Sequence, residues 1–490
     1  MRKPNLSSIP FFPNFHIQTL SGKRRSQQQI LAENHEAIRR NSFDHLHRML
    51  KGFFPDRLFK DASECRNRIY TKTNSFLAFL GQVLDEDGSC QAAVHRIREQ
   101  AQLQGASCIP SANTAAFCKA RKRLKTSELS DLFYYGAGAV ELEIPRKFGR
   151  ALFAVDGTTF TMPDTPSNQA RWPQSKEQQE GLGFPMMKMV GAFSVDSRAL
   201  LDFETGNKHD HEITLLRNMV DSFQPEDILV MDRAYCSYCD LVDFQKRGID
   251  VVVRNHQSRK EIPAAAAVRI VSADDRWVEW KKPRKRSEHL DQSEWSAIPE
   301  TLRVRQITLR VDIPGFRSQE VVLITTLHED EYTTNEVTEM YRDRWLSEIS
   351  FRDLKQTLNA DELRCKTAEM IEKELWMRLI GYNALCHLLK EASLHSSTPR
   401  EQLSFKGALQ VMRAWEHRFR DWRVSLGGLL RSLYENLAEA LLVKRPNRVE
   451  PRANKRRPKI IRLMTKPRRV LHKELLQKFS GTGPLVCPLS

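Results

Sequence analysis

Four side chains in the stretch Tyr341–Lys355 (YRDRWLSEISFRDLK) are of types that act on phosphate esters. They are a phenol (Tyr341), two cations (Arg344 and Lys355) and a carboxylate (Glu348). Their separations of three, four and seven residues gather them within roughly 60° of one another on a helix that turns about 100° per residue. An ordinary exposed helix scatters its charges, so this face calls for counterparts elsewhere in the chain. Two aspartates supply them. Asp156 follows the apolar run Ala151–Val155 (ALFAV) and precedes Gly157, while Asp232 follows Asp227–Met231 (DILVM) within LVMDRAY. Each reads as an acid just past the end of a buried strand. One such aspartate is ordinarily a turn or cap residue, but two in equivalent places, with Glu348 on a helix, read as a carboxylate triad.

Three clustered carboxylates repel and raise one another's pKa unless a cation lies among them. Ligands that are all hard oxygens select Mg2+, with Mn2+ as a substitute. Two such ions can activate an attacking hydroxyl and stabilise the leaving oxygen of a phosphodiester. Arg344 and Lys355, on either side of Glu348, are suited to neutralising substrate phosphates.

The elements that must position these residues begin after a helical stretch, residues 1–148. There Ser42–Phe54, Ser75–Leu84, Cys90–Gln102 and Thr114–Lys122 carry apolar residues at helical spacing. Lys119, Arg121, Lys122 and Arg123 lie beside a short apolar stripe in Phe117–Leu129; by itself this is a solvated helix face, but in a chain this basic the region reads as a DNA-binding domain. From 149 to 254 the texture is mixed α/β. Ala151–Val155 is a strand, and Asp156–Thr158 a turn leading into Thr159–Met162. Met186–Val195 and Ala199–Thr205 form a hairpin through Asp196-Ser197, and a helix covers Glu212–Phe223. The buried strand Asp227–Met231, the helix Cys236–Lys246 and the strand Asp250–Arg254 complete it. Residues 255–331 break this pattern with strand-like pieces and the basic run Lys281–Arg286 (KKPRKR), and read as a β-rich insertion. Residues 332–395 resume with an unbroken helix from Thr334 to about Leu358 and an apolar one over Lys366–Ala392. Residues 396–490 hold two amphipathic helices, Phe405–Trp422 and Leu426–Val443, and then a basic tail. Lys444–Val470 contains twelve Lys/Arg against one Glu, and its interspersed prolines preclude one long helix; it reads as an extended arm that seeks phosphates.

Composition agrees. A chain of 490 residues exceeds one compact core, and 40% hydrophobic with 28% charged residues describes a soluble globular protein. The net charge of +16 and pI near 9.5 point to a polyanionic partner, above all nucleic acid. No apolar run is long enough for a transmembrane helix, and the N-terminus shows no signal-peptide core. Nine mostly isolated cysteines fit free thiols in a reducing cytoplasm. No fixed-period repeat and no phosphate-binding GxxxxGK[ST] loop is present, so nothing points to nucleotide hydrolysis.

Asp156, Asp232 and Glu348, with the spacing Tyr341-x2-Arg344-x3-Glu348-x6-Lys355 and the local sequences DGT and DRAY, resemble bacterial DDE transposases of the insertion sequence 4 family, relatives of the Tn-five and Tn-ten elements. The resemblance covers about Ala151–Leu358 and implies an RNase H-like catalytic core with a β-rich insertion, flanked by helical N- and C-terminal regions. It implies a cut-and-paste transposase acting as a homodimer in a synaptic complex on terminal inverted repeats, with two Mg2+ per active site. Nicking at the element ends, hairpin formation and strand transfer into target DNA would follow in a bacterial, nucleoid-associated setting. Asp156, Asp232 and Glu348 become metal ligands, and Tyr341, Arg344 and Lys355 contacts to terminal phosphates. A tryptophan of the insertion would stack on a flipped base, with Trp277, Trp280 and Trp295 as candidates. Arg233 and Tyr235 either orient DNA or buttress Asp232, and Arg254, ending the last core strand, is placed to meet DNA backbone. Cys236-x2-Cys239 has no second pair and reads as core thiols, and Lys208–Glu212 (KHDHE) as a helix cap. The rivals are a nuclease with the same core but no strand transfer, and a transposase-derived DNA-binding protein without activity.

Overall fold

The two apolar runs that end at the aspartates pair directly. The computed structural model describes residues 44–56, 58–59, 70–103, 109–311, 319–421, 424–443 and 463–479. In it, β1 (Leu152–Thr161) lies parallel to β4 (Ile228–Met231), and β4 parallel to β5 (Asp250–Arg254). Beside β1 run β2 (Met186–Ser194) and β3 (Leu200–Asn207), both antiparallel to their neighbours, joined by a turn in which Arg198 takes a φ of 63°. The order β3-β2-β1-β4-β5, three antiparallel strands followed by two parallel ones, is that of an RNase H-like core. The insertion does not form a separate sheet. β6 (Arg269–Ser272), β7 (Asp275–Lys281), β8 (Thr301–Val311) and β9 (Gln319–Thr325) extend the same sheet, because β9 returns to pair antiparallel with β5.

Side chains alternate along each strand, and the two faces have different covers. Val155, Met231, Val253, Val278 and Trp280 pack with α5 (Glu212–Met219) and α6 (Tyr238–Lys246). Ala154, Val230, Val252, Ile307 and Leu323 pack with Val337 and Met340 of α7 (Thr334–Asp343). The second face is also crossed by α8 (Trp345–Arg352), whose Phe351 meets Phe193 of β2 edge-on at 4.8 Å. The long α9 (Ala368–His395) packs on α4 (Thr126–Glu141), α10 (Phe405–Trp415) and α11 (Leu426–Glu439).

Two sequence expectations change. The DGT segment is not a turn: β1 runs through it to Thr161, and Asp156 faces Gly191 in the ladder with β2. The helix starting at Thr334 is not unbroken. It is interrupted at Arg344, whose N–H donates to Tyr341 O (3.2 Å) and whose own O accepts from Ser347 N (3.0 Å). Both are i,i+3 bonds, tighter than the α-helical i,i+4. After α8 the chain enters a π turn, Asp353–Thr357. The helix α4 was not foreseen; Gly136 and Gly138 weaken its signal, and Gly136 is required because a Cβ there would strike the Phe53 ring. Most of the basic tail, residues 444–462, lies outside the described residues, and Arg468–Phe479 is helical.

Chain contacts divide the molecule into two units. The first comprises residues 1–49, 57–124 and 416–422, and the second the remainder. The described part of the first unit is helical, with α1 (Lys72–Leu84), α2 (Cys90–Leu103) and α3 (Ala115–Arg123). Thr71 Oγ1 accepts from Asn74 N at the start of α1. Within this unit the Glu416 carboxylate is 19% exposed and sits 2.9 Å from His45 Nε2. Burial alone would raise its pKa, but the His45 hydrogen bond and charge, with Arg96 and Arg420 nearby, hold it down to about 2 from 4.5. A depressed carboxylate pKa contributes stability that is present above pH 4.5 and is lost as pH falls through about 2. The stability difference between the parent and Glu416→Gln should therefore shrink by about 3 kcal/mol across that window. A difference that does not vary with pH in denaturant titrations would refute the pairing.

Candidate active site

The strand register places the acids. Val155 pairs with Met231, and Met231 with Val253. The next residues, Asp156, Asp232 and Arg254, therefore form a row across three adjacent strands about 4.8 Å apart. Their parity matches Ala154, Val230 and Val252, so all three point to the face that carries α7 and α8. Asp232 stands directly after β4 and begins the 3-10 turn Arg233–Tyr235.

The break at Arg344 brings the helical residues onto this row. Ser347, fully buried, sets its hydroxyl 2.8 Å from Arg344 O and 3.2 Å from Asp156 Oδ2. Arg344 Nη2 lies 3.0 Å from Glu348 Oε1, and its Nη1 3.9 Å from Asp156 Oδ2. One guanidinium thus spans two of the three acids. Burial opposes the Arg344 charge, but Tyr341, Glu348 and Asp156 together hold its pKa above the ordinary value. The Arg344 guanidinium sits 5.8 Å from the centre of the Tyr341 ring. Burial pushes the Tyr341 phenol up; Asp232 adds to this, while Arg344 and Arg254 oppose it.

Asp156 has a raised pKa, first because of burial and also because of the Glu348 charge, against the pull of the Gly157 N–H, Arg344 and Ser347. Its Oδ1 accepts from Gly157 N at 2.8 Å. Among the described residues, no three His, Cys, Asp or Glu groups are gathered at metal-holding distances; Glu348 is held by Arg344. The donor chemistry nonetheless fits a hard divalent cation, since all three are carboxylate oxygen donors.

Lys355 falls elsewhere. The π turn carries it to the far end of β1, where Nζ lies 3.0 Å from Asp361 and 5.9 Å from the centre of the Phe160 ring. Phe160 is four residues beyond Asp156 on the same strand, about 13 Å along it. Arg233 is exposed beside Asp232. Tyr235 is buried, and its hydroxyl donates to Glu212 Oε2 at 3.2 Å. Glu212, read from sequence only as part of a helix cap, has its carboxyl where a Cβ on residue 157 would stand, so Gly157 is needed for this close approach. The rest of KHDHE serves as a turn, with Asp210 Oδ2 accepting from Asn207 N at 2.7 Å. Cys236 and Cys239 are buried free thiols.

The three insertion tryptophans are packed rather than presented. Trp277 is 8% exposed and donates to Glu329 Oε2 at 2.7 Å. Trp280 is 4% exposed on the opposite face, with the Arg259 guanidinium 3.6 Å from its ring centre. Trp295 is half-buried beside Lys282. Trp345, by contrast, is 52% exposed at the start of α8 and lies between Arg344 and Glu348 in sequence. On α3, Lys119, Lys122 and Arg123 face solvent. Arg121 instead turns into the core between the rings of Phe79 and Phe117 and donates to Gln82 Oε1 at 3.1 Å.

Residues 147–384 match the family model described as Transposase DDE domain. The Transposase InsG for insertion sequence element IS4 of Escherichia coli is 26% identical over 382 residues, covering 74% of this chain and 81% of that protein. The Transposase for insertion sequence element IS421 of Escherichia coli is 40% identical over 61 residues, 12% of this chain and 16% of that one. Among solved structures, the cryo-EM structure of the piggyBac transposase synaptic complex with hairpin DNA covers 84% of this chain and 87% of its own, at 10% identity and a TM-score of 0.38.

Proposed function

We propose the following division of labour in this chain, a DDE transposase of the insertion sequence 4 type. Asp156, Asp232 and Glu348 would hold divalent metal, Mg2+ in the cell, for cleavage of the strands at the ends of the element and their joining to target DNA. The observation that carries this reading is the row of Asp156 and Asp232, each next after the Val155–Met231 pair of β1 and β4, with the helix bearing Glu348 drawn onto it through Ser347 and Arg344. The bound metal would supply Lewis-acid activation of a hydroxyl and stabilisation of the leaving oxygen. Arg344, released from Glu348, contacts a phosphate next to the scissile bond, and Tyr341 and Arg254 border the same place. Lys355 meets a phosphate further along the end. The exposed Lys119, Lys122 and Arg123 contribute to end binding, and two copies act together on paired ends in the bacterial cytoplasm.

Trp345 joins the candidates for a base-stacking platform at the hairpin step, because an exposed indole at the start of the helix that carries Glu348 can receive an unstacked base, whereas Trp277 and Trp280 are already enclosed. No helix among the described residues is long and apolar enough to cross a membrane.

The test uses the full chain and a labelled duplex carrying the inverted repeats that flank its coding sequence. With Mg2+ the ends are cleaved and joined to a target plasmid; with excess EDTA they are bound but uncut. Trp345→Ala lowers hairpin yield by about tenfold, as a lost base stack predicts, and leaves first-strand nicking intact. Cleavage that persists in EDTA sinks the metal assignment, and cleavage without joining at any target concentration replaces the transposase with a nuclease.

A further inference from the structure

The face that bears Asp156 and Asp232 continues, through β5 and β9, into the insertion. By register Val252 is level with Thr325, Arg305 and Trp277, and Arg254 with Leu323, Ile307 and Asp275. Asp275 and Arg305 therefore share the catalytic face, as diagonal neighbours on β7 and β8. Both side chains are 0% exposed. Arg305 Nε lies 2.9 Å from Asp275 Oδ1, and its Nη2 2.5 Å from Oδ2, a bidentate pair.

The pair does not close on itself. Arg305 Nη1 donates to Tyr332 O at 2.7 Å, and Thr334 Oγ1 donates to Asp275 Oδ2 at 2.6 Å. Tyr332 and Thr334 flank Thr333, the N-cap of α7. The base thus holds the residue before the N-cap of α7 and the acid the residue after it, with the carboxylate at the positive end of the helix. From that grip α7 crosses β5 and β4, and α8 continues over β1 and β2. At the far end of α7, Lys147 Nζ holds Asp343 at 2.7 Å and Glu339 at 2.9 Å. The interruption at Arg344 comes next, and then Glu348.

We propose that Asp275 and Arg305 are positioning residues for the cleavage reaction: the insertion sets the seat of the helix that delivers Tyr341, Arg344 and Glu348 to the aspartate row. This rests on the transposase reading of that row. A fully buried ion pair is a poor device for stability, since apolar residues of similar volume serve as well or better. What apolar residues cannot supply is a directed hold on one carbonyl and one hydroxyl.

The experiment replaces both partners together, Asp275→Leu with Arg305→Met, in the full chain, so that no lone charge is left buried. The double variant is expected to melt within a few degrees of the parent and to bind labelled end DNA with the parental Kd. Its single-turnover cleavage rate at saturating DNA should fall by about 100-fold, the scale on which a displacement of about 1 Å acts. A double variant that folds and cleaves at the parental rate overturns the inference and leaves the pair a matter of packing. If the double variant does not fold, Thr334→Val, which removes only the hydroxyl held by Asp275, decides. A reduced rate with unchanged Kd and melting temperature supports the seat, and an unchanged rate overturns it. A parent that leaves the ends uncut overturns the transposase reading itself, so the two failures are separable.

Discussion

Protein carrying Glu348→Gln is expected to bind element ends with unchanged or slightly higher affinity and to cleave them at least about 1,000-fold more slowly. The substitution keeps the shape of the side chain, and its amide oxygen can still accept from Arg344 Nη2, now 3.0 Å from the carboxylate, so α8 should hold its place. The charge is what disappears. A neutral amide is a weak ligand for a hard divalent cation, and Asp156 and Asp232 alone would leave the metal under-coordinated. Loss of a negative charge beside the phosphates accounts for the sign of the binding change. The readout is a single-turnover cleavage assay with filter binding of the same duplex. Normal cleavage by this variant would remove Glu348 from the triad and return it to the role it plays against Arg344.

The second large effect concerns stability. Asn383, fully buried on α9, uses both ends of its amide on one residue of β3: Oδ1 accepts from Leu200 N at 2.9 Å, and Nδ2 donates to Leu200 O at 2.8 Å. β3 is an edge of the nine-stranded sheet, and this amide substitutes for a neighbouring strand. Asn383→Ala strands a buried N–H and a buried C=O and opens a void. Together these should cost about 2–5 kcal/mol in guanidinium unfolding of the full chain. A loss under about 0.5 kcal/mol would mean that water replaces the amide without penalty.

Much of this site was legible beforehand because the residues that build it are local. ALFAV and DILVM are short buried strands whose apolar runs stop at the acids, and strands of this kind pair in register. The return of β9 was not legible, since a strand-like run does not name its partner. The break at Arg344 was equally hidden: no proline or glycine marks it, its i,i+3 bonds are local, and the contact that fixes it from outside the helix is that of Ser347 with Asp156. Asp156 was placed past a strand end because DGT has the chemistry of a turn. In the fold, Gly157 instead makes room for the Glu212 carboxyl, which comes from a helix 55 residues later. Asp275 and Arg305, 30 residues apart, gave no periodic signal at all.

The place of β9 bears on how such a chain can be rebuilt. The last strand of the insertion in sequence lies innermost in the sheet, against β5. Excising residues 255–331 and splicing Arg254 to the helix would expose the open backbone of β5 beside the row of Asp156, Asp232 and Arg254. It would also remove Arg305 and Asp275 from the start of α7. The insertion is therefore not a detachable cassette, and one from a relative could be grafted only with its own closing strand and a match for that buried pair. Lengthening the chain outward from β6, at the free edge, leaves both untouched.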